Sequence, residues 1–360
     1  MGVFQDLETY GHEQVTFFHD KKSGLKAIIG VHSTVLGPSL GGTRMWKYTD
    51  EQAALRDVLR LSRGMTFKAA VAGLKLGGGK AVIMADARTE KTPEMLAAFG
   101  RAVDSLGGKY ITAEDVGMSV EDIDTIRKYT SHAVGGSNEG GSGDPSVMTA
   151  FGVFQGIKAA VKHAGLGTSL EGLKVAIQGV GHVGYHLASY LSAAGAKLII
   201  TDIYPNQIEK VVQEFGAIAV EPDQIYGADA EIFAPCALGA ILNQRTIPQL
   251  KCKIVAGSAN NQLEVDSDGF DLFRKGIVYA PDYAINSGGL INVAAELDGY
   301  NHERVLAKVS KIYNTIADIL ERSEAEHIPP HQAADRLAEQ ILAEASLGKC
   351  QDKTLELCAR

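Results

Sequence analysis

The sequence predicts an α/β protein of two domains, the second built on a doubly wound parallel sheet. Three observations predict it. The chain has 360 residues, more than one hydrophobic core usually serves. From residue 173 onward, short apolar runs alternate with helical patterns, the order that a parallel sheet covered on both faces requires. Between the halves, Gly135 to Pro145 holds five glycines, two serines and a proline in eleven residues, which reads as a linker. The expected division is therefore 1–134, joined by C-terminal helices at about 330–360, and 135–329.

Within the first half, residues 24–33 read as a strand and 51–64 as a helix, with Ala54, Leu55, Val58, Leu59 and Leu61 at helical spacing. Gly73 to Lys80 carries four glycines in eight residues and reads as an irregular loop before a short strand, Ala81 to Met84. A helix over about 92–106 stops at Gly107-Gly108, and a strand, Tyr110 to Thr112, leads into the acidic turn Glu114-Asp115. Helices follow at about 147–164 and, with a break at Pro329-Pro330, at about 303–345.

Composition excludes several classes. Apolar residues at 45% and charged residues at 22% are globular values, so disorder and coiled coil do not fit. Lys plus Arg number 35 against 43 Asp plus Glu, a net charge of -8 without a basic run, which argues against nucleic acid as a partner. No apolar run approaches membrane-spanning length, and Asp6, Glu8 and Glu13 stand where a signal peptide needs an apolar core. The four cysteines, Cys236, Cys252, Cys350 and Cys358, lack C-x-x-C spacing, so neither a disulfide framework nor a zinc cluster is expected and the cytoplasm is the expected location.

The most specific motif is Gly179-Val180-Gly181-His182-Val183-Gly184. It follows a strand candidate, Leu173 to Gln178, and opens a helix with Leu187, Leu191 and Ala194 on one face; Lys197 to Thr201 is the next strand and Asp202 stands at its end. This is the Rossmann dinucleotide fingerprint: glycines admit a pyrophosphate to the backbone, the helix N-terminus offers N–H groups, and the acid bonds ribose hydroxyls. Asp202 would repel a 2'-phosphate and no Arg lies within Ile203 to Glu209, so NAD is favoured over NADP.

Three later segments pair a strand with small or polar residues: Ala234 to Ala237, Gly257 to Asn261 and Ala284 to Gly289. They make Cys236, Ala237, Asn260, Asn261 and Asn286 candidates for the nicotinamide end, although turn asparagines that bond their own backbone fit equally.

For chemistry, the Walker pattern fails at Gly77-Gly78-Gly79-Lys80, because Leu74 and Ala81 stand where Gly and Ser or Thr are needed. His182 and His186 lack the Glu of a zinc helix, since residue 183 is Val183, so no metal is expected. Two lysines remain in apolar, glycine-rich surroundings, Lys68 and Lys80; spacing alone does not separate them from solvated surface groups.

Leu40-Gly41-Gly42-Thr43-Arg44, Lys68, Gly77-Gly78-Gly79-Lys80, Thr112-Ala113-Glu114-Asp115-Val116-Gly117 and Asn286-Ser287-Gly288-Gly289-Leu290-Ile291-Asn292-Val293 together resemble the amino acid dehydrogenases, and among them the leucine branch of the superfamily that also holds glutamate, valine and phenylalanine enzymes. The resemblance spans nearly the whole chain. It implies a substrate domain and an NAD-binding Rossmann domain with a cleft between them, and reversible oxidative deamination of branched-chain L-amino acids to 2-oxo acids and ammonia. It further implies a homo-oligomer, typically an octamer. Valine or phenylalanine dehydrogenase and a non-catalytic NAD-binding sensor are the alternatives.

Carried over by residue, the resemblance makes Lys68, helped by Gly41 and Gly42, the holder of the substrate carboxylate, Lys80 the general base, and Asp115 the proton carrier. A second ammonium nearby would favour the neutral, basic form of Lys80. Leu40, Ala113, Leu290 and Val293 would line the side-chain pocket, with Leu40 and Val293 standing where glutamate enzymes place a Lys and a Ser.

Overall fold

The computed structural model describes residues 3–137 and 141–358, with side chains described as far as residue 348. Asn138 to Gly140 of the linker candidate and the side chains of Cys350 and Cys358 lie outside the described residues. The chain forms two compact units: Met1–Gly143 with Val293–Tyr300 and Ala338–Arg360, and Asp144–Asn292 with Asn301–Leu337. Among the described residues no helix is long and apolar enough to cross a membrane.

The first unit runs α1 (Val3–Tyr10), β1 (Gln14–Asp20), β2 (Leu25–Ser33), β3 (Ser39–Trp46), α2 (Glu51–Val71), β4 (Gly77–Met84), α3 (Pro93–Asp104), β5 (Tyr110–Glu114) and α4 (Val120–Arg127). Its described strands form one mixed sheet in the order β1-β2-β4-β3-β5, in which β3 lies parallel to both β4 and β5. Alternation along the strands sorts side chains onto two faces. Ile28 and Val82 pack with Ala54, Leu55, Val58 and Leu59 of α2. Their neighbours Ala27, Ile29, Ala81 and Ile83 pack with Met95, Phe99 and Val103 of α3. Local signals set the helix starts: Asp50 accepts from the Ala53 N–H at 2.7 Å, Thr92 caps α3 ahead of Pro93, and Ser119 and Asp122 form a capping box at α4. Burial also holds two histidines of this unit neutral, His12 pushed down to about 3 and His32 to about 4.

Two expectations are corrected here. The helix predicted over 51–64 continues to Val71, which makes Lys68 helical. The glycine run is strand: β4 begins at Gly77. Glycine is disfavoured in strands, but a Cβ on Gly78 would stand 2.0 Å from the backbone nitrogen of Thr66, so only glycine lets α2 rest on the β4 backbone. Strands β1 and β3, and helix α1, carry no expectation from the sequence pattern.

The second unit contains α5 (Ser146–His163), β6 (Lys174–Gln178), α6 (His182–Ala193), β7 (Lys197–Thr201), α7 (Pro205–Phe215), β8 (Ile218–Ala219), β9 (Ile232–Pro235), β10 (Ile254–Val255), α8 (Asp266–Arg274), β11 (Val278–Tyr279), α9 (Asp282–Ile285), α10 (Gly288–Ala294), α11 (His302–Ser310), α12 (Ile312–Glu326) and the start of α13 (Pro330–Cys358). Its described strands form a sheet in the order β11-β10-β9-β6-β7-β8 with every pairing parallel. Numbered within the unit this is the 3-2-1-4-5-6 order of a Rossmann sheet, whose switch point lies between β6 and β9. Ala176, Phe233, Val255, Leu272 and Tyr279 fill one side of it. Ala284 to Gly289 is not a post-strand loop: β11 ends at Tyr279, and Asn286 stands at the break between α9 and α10.

The linker segment shows why the units divide at Gly143 and not at 134. Glu296, with 5% of its side chain exposed, accepts from the Gly135 and Ser142 N–H groups at 3.1 and 2.8 Å and pairs with Arg127 at 2.7 Å, which ties this segment to the first unit.

Gly78→Ala is expected to destabilise the first unit by on the order of 3 kcal/mol, because backbone and not a flexible side chain stands in the way. Urea unfolding with an unchanged midpoint would contradict the close contact.

Candidate active site

In the first unit, parallel register brings three strands' functional positions into one row. Thr43 of β3 stands beside Ala81 of β4 and Glu114 of β5, so Gly42, Lys80 and Asp115 are close neighbours. A Cβ on Gly42 would lie 2.3 Å from the Glu114 carbonyl oxygen and 2.9 Å from the Asp115 Cβ, which explains the glycine. Gly41 sits against the Gly79 carbonyl, and its own carbonyl accepts from the Tyr110 hydroxyl at 2.6 Å. Lys68 lies half-buried in the last turn of α2, whose Met65 and Thr66 abut Gly41 and Gly78.

Lys80 is 6% exposed, and its Nζ lies 2.7 Å from Asp115 Oδ2. The charge in direct contact with it is thus a carboxylate. Asp115 also receives Arg44 Nε at 3.2 Å. Burial alone would raise the Asp115 pKa, but the Lys80 and Arg44 charges outweigh it and hold the carboxyl below its ordinary range. Arg44 reaches on to Asp57 at 2.9 Å, and Tyr48 donates to the same carboxylate at 2.7 Å. Sequence reasoning missed this Asp57, Tyr48 and Arg44 arrangement; the only signal was the arginine closing the Leu40-to-Arg44 motif.

Leu40 is 1% exposed within β3, Ala113 half-buried in β5, and Leu290 and Val293 half-buried on α10. Leu290 falls in the second unit and the other three in the first.

In the second unit the glycine loop has the geometry its motif requires. Gly179 adopts φ +91°, and a Cβ on Gly184 would lie 2.0 Å from the Gly179 carbonyl oxygen, so the third glycine lets α6 start close against the loop. The N-cap of α6 is Gly181, with no side-chain cap, beside exposed His182 and half-buried Val183. Asp202 follows β7 and accepts from the Val180 and Tyr204 N–H groups at 2.7 and 3.0 Å, which fixes its carboxylate at the loop.

The loops after β9 and β10 meet the same end of the sheet. Ala237 stands against Gly179, Cys236 N–H donates to the Gln178 carbonyl at 2.7 Å, and Ala240 N–H donates to the Asn261 carbonyl at 2.7 Å. Asn286 Nδ2 donates to the Ser258 carbonyl at 3.0 Å and to Asn260 Oδ1 at 2.7 Å, which brings Asn260 and Asn286 together. Gln262, not singled out in the sequence, is fully buried here and stitches this loop through the Gly257 and Ala259 carbonyls.

A dinucleotide-type unit together with a desolvated lysine–carboxylate row defines the class as a dehydrogenase. Residues 12–132 match the model described as "Glu/Leu/Phe/Val dehydrogenase, dimerisation domain", and residues 140–204 and 200–349 match "Glutamate/Leucine/Phenylalanine/Valine dehydrogenase". The chain belongs to the Glu/Leu/Phe/Val dehydrogenase family and is an amino acid dehydrogenase. A leucine dehydrogenase of Bacillus cereus is 56% identical over 342 residues, 95% of this chain and 93% of its own length. A valine dehydrogenase of Streptomyces albus is 48% identical, covering 93% of each chain. The crystal structure of L-tryptophan dehydrogenase from Nostoc punctiforme superposes with a TM-score of 0.86 at 46% identity, over 96% of this chain and 100% of that one.

The ion-pair geometry makes the two partners unequal. Lys80→Ala leaves Asp115 with Arg44, whereas Asp115→Ala strands the Lys80 ammonium. Urea unfolding at pH 7 is expected to show Asp115→Ala the less stable of the two by about 3 kcal/mol; equal losses would show that Lys80 has another anionic partner.

Proposed function

We propose that this chain catalyses the reversible, NAD-dependent oxidative deamination of branched-chain L-amino acids, leucine foremost with valine and isoleucine, to 2-oxo acids and ammonia. One observation carries the reading: the buried Lys80–Asp115 pair, 2.7 Å apart, in a chain 56% identical over most of its length to an enzyme named leucine dehydrogenase. The valine and tryptophan enzymes are less similar, at 48% and 47% identity.

The residues divide the chemistry. Lys68 holds the substrate carboxylate, with backbone at Gly41 and Gly42 assisting. NAD held by the second unit would supply the hydride acceptor for the substrate α-carbon, whose oxidation gives an iminium. Lys80, in its neutral form, accepts a proton from water as that water adds to the iminium carbon. Asp115 carries protons to and from the nitrogen, so that ammonia departs and the 2-oxo acid remains. Leu40, Ala113, Leu290 and Val293 present apolar surface to the substrate side chain, which leaves a second carboxylate without a partner.

The second unit fits a dinucleotide. Gly179, Gly181 and Gly184 remove side chains where a pyrophosphate approaches, and His182 and Val183 contribute first-turn N–H groups of α6. Asp202, fixed by two backbone N–H groups, accepts ribose hydroxyls and repels a 2'-phosphate. Cys236, Ala237, Asn260, Asn261 and Asn286 serve the nicotinamide end. The description of the first matched segment as a dimerisation domain supports a homo-oligomer, and the octamer of the leucine branch is the subunit number we propose. The free thiols Cys236 and Cys252 support a reducing, cytoplasmic setting.

The test is NADH formation measured with L-leucine, L-valine and L-phenylalanine. Leucine is expected to give the highest kcat/KM, and no NADH with any of them would refute the reading. Lys80→Ala is expected to lower kcat roughly 100-fold while NADH binding stays near normal. A separate comparison of cofactors is expected to favour NAD over NADP by at least about tenfold in kcat/KM, the effect of a close charge clash above roughly 1.4 kcal/mol. Equal use of the two would remove Asp202 from its role.

A further inference from the structure

The Asp115 carboxylate is gripped from two sides. Lys80 Nζ reaches Oδ2 from β4 and Arg44 Nε reaches the same oxygen from β3, at 2.7 and 3.2 Å. The far edge of the Arg44 guanidinium is itself anchored: Nη1 lies 2.9 Å from Asp57 Oδ2 on α2, and Asp57 also receives the Tyr48 hydroxyl at 2.7 Å and Arg60 at 3.2 Å. We propose that Arg44 is a positioning residue for catalysis, a constant positive charge that keeps Asp115 ionised and aimed while Lys80 changes its protonation state, with Asp57 and Tyr48 as its anchor. The proposal rests on the reading of Asp115 as the proton carrier.

The argument is one of charge conservation through the cycle. A lysine that acts as a base must pass through its neutral form, and in that form it no longer stabilises the carboxylate beside it. Asp115 would then be left half-buried without a cation and would take up a proton out of turn. A guanidinium does not lose its proton in a protein, so Arg44 supplies the charge that Lys80 withdraws. Its planar fork also meets two carboxylates on two elements at once, which an ammonium on a flexible stem does not do with fixed geometry. Burial opposes the Arg44 charge, but Asp115 and Asp57 outweigh it and strengthen its hold on the proton.

The other groups facing Asp115 do not substitute. Tyr48 and Tyr110 are both pushed above their ordinary range, first by burial, and stay neutral hydroxyls. Arg60 pairs with Asp57 at 3.2 Å, and Asp57 carries the wrong sign.

The test compares the pH dependence of kcat/KM for L-leucine in the wild type, Arg44→Gln and Arg44→Lys. Removing the charge raises the Asp115 pKa, so the carboxylate is lost at a higher pH as acid is added. The acid limb of Arg44→Gln is expected to move up by about one pH unit, and that of Arg44→Lys to return toward the wild-type position. Coincident acid limbs in the wild type and a folded Arg44→Gln overturn the proposal, as does an Arg44→Lys limb displaced as far as that of Gln. Should Arg44→Gln not fold, Asp57→Asn takes its place: it keeps both cations and releases the anchor. Its kcat is expected to fall about tenfold with KM for leucine little changed, and an unchanged kcat overturns the proposal. Asp115→Asn separates the two readings. Full activity in that variant refutes the proton-carrier role itself, whereas an inactive Asp115→Asn beside coincident Arg44 limbs refutes only the Arg44 role.

Discussion

Lys80 sets an ammonium group in the middle of a sheet with 7% of its side chain exposed, where an uncompensated charge would cost several kcal/mol. Its strand neighbours follow from that constraint. The compensating carboxylate must reach the β4 row from β5, and Asp115 does so only because Gly42, between the two strands, has no side chain to hold them apart. Asp115 is then a half-buried anion that draws in Arg44, and Arg44 draws in Asp57 and Tyr48 from beyond the sheet. The glycines of β3 and β4 are the steric complement of this electrostatic arrangement. They trade strand propensity for backbone contact, and the apolar packing of α2 and α3 on either face offsets the loss.

The second unit solves a different problem with the same economy of side chains. A dinucleotide presents phosphate charge that backbone N–H groups and a helix N-terminus can meet, so its binding loop needs room more than it needs charged residues. Gly179 and Gly184 provide the room, and the Asp202 carboxylate bonds the Val180 and Tyr204 N–H groups to fix the loop. In the loop after β10, order comes from amides. Asn286 and Gln262 spend their donors on the Ser258, Gly257 and Ala259 carbonyls, which rigidifies the loop after β10 without adding charge.

What could be read from the sequence tracks how local the cause is. The Rossmann strands β6 and β7, the glycine loop and Asp202 were legible because strand period, glycine spacing and the acid at the strand end lie within thirty consecutive residues. The start of strand β4 was misread, though its end at Ala81 to Met84 was not, because its glycines answer to Thr66, Ser33 and Tyr110, outside the strand, and no local propensity records such contacts. Asn286 was expected in a post-strand loop and not at a helix break, since the two-residue strand β11 leaves little periodicity to mark where the sheet ends. Lys80 and Asp115 were recognisable by resemblance, yet their pairing depends on the register of three strands. The second cation at that carboxylate depends on the same register, and for that reason Arg44 carried no assignment.

On the proposed assignment of pocket and catalytic residues, register also binds specificity to catalysis. Leu40 of β3 pairs with Gly78 of β4 and Ile111 of β5, two residues before Gly42 and Lys80 in their strands. Ala113 pairs with Gly42 and directly precedes Glu114-Asp115. A residue that shapes an apolar pocket from these positions therefore shares its backbone with the groups that move protons, and Leu40, at 1% exposure, has no slack in which to change size. Enlarging it would press on the glycine rows, and shrinking it would leave a cavity beside them. Leu290 and Val293, half-buried on α10, stand outside the strand register altogether. If the four residues line the substrate pocket as proposed, substrate range can change at Leu290 and Val293 with the Lys80, Asp115 and Arg44 row intact, whereas a change at Leu40 is felt by the row itself.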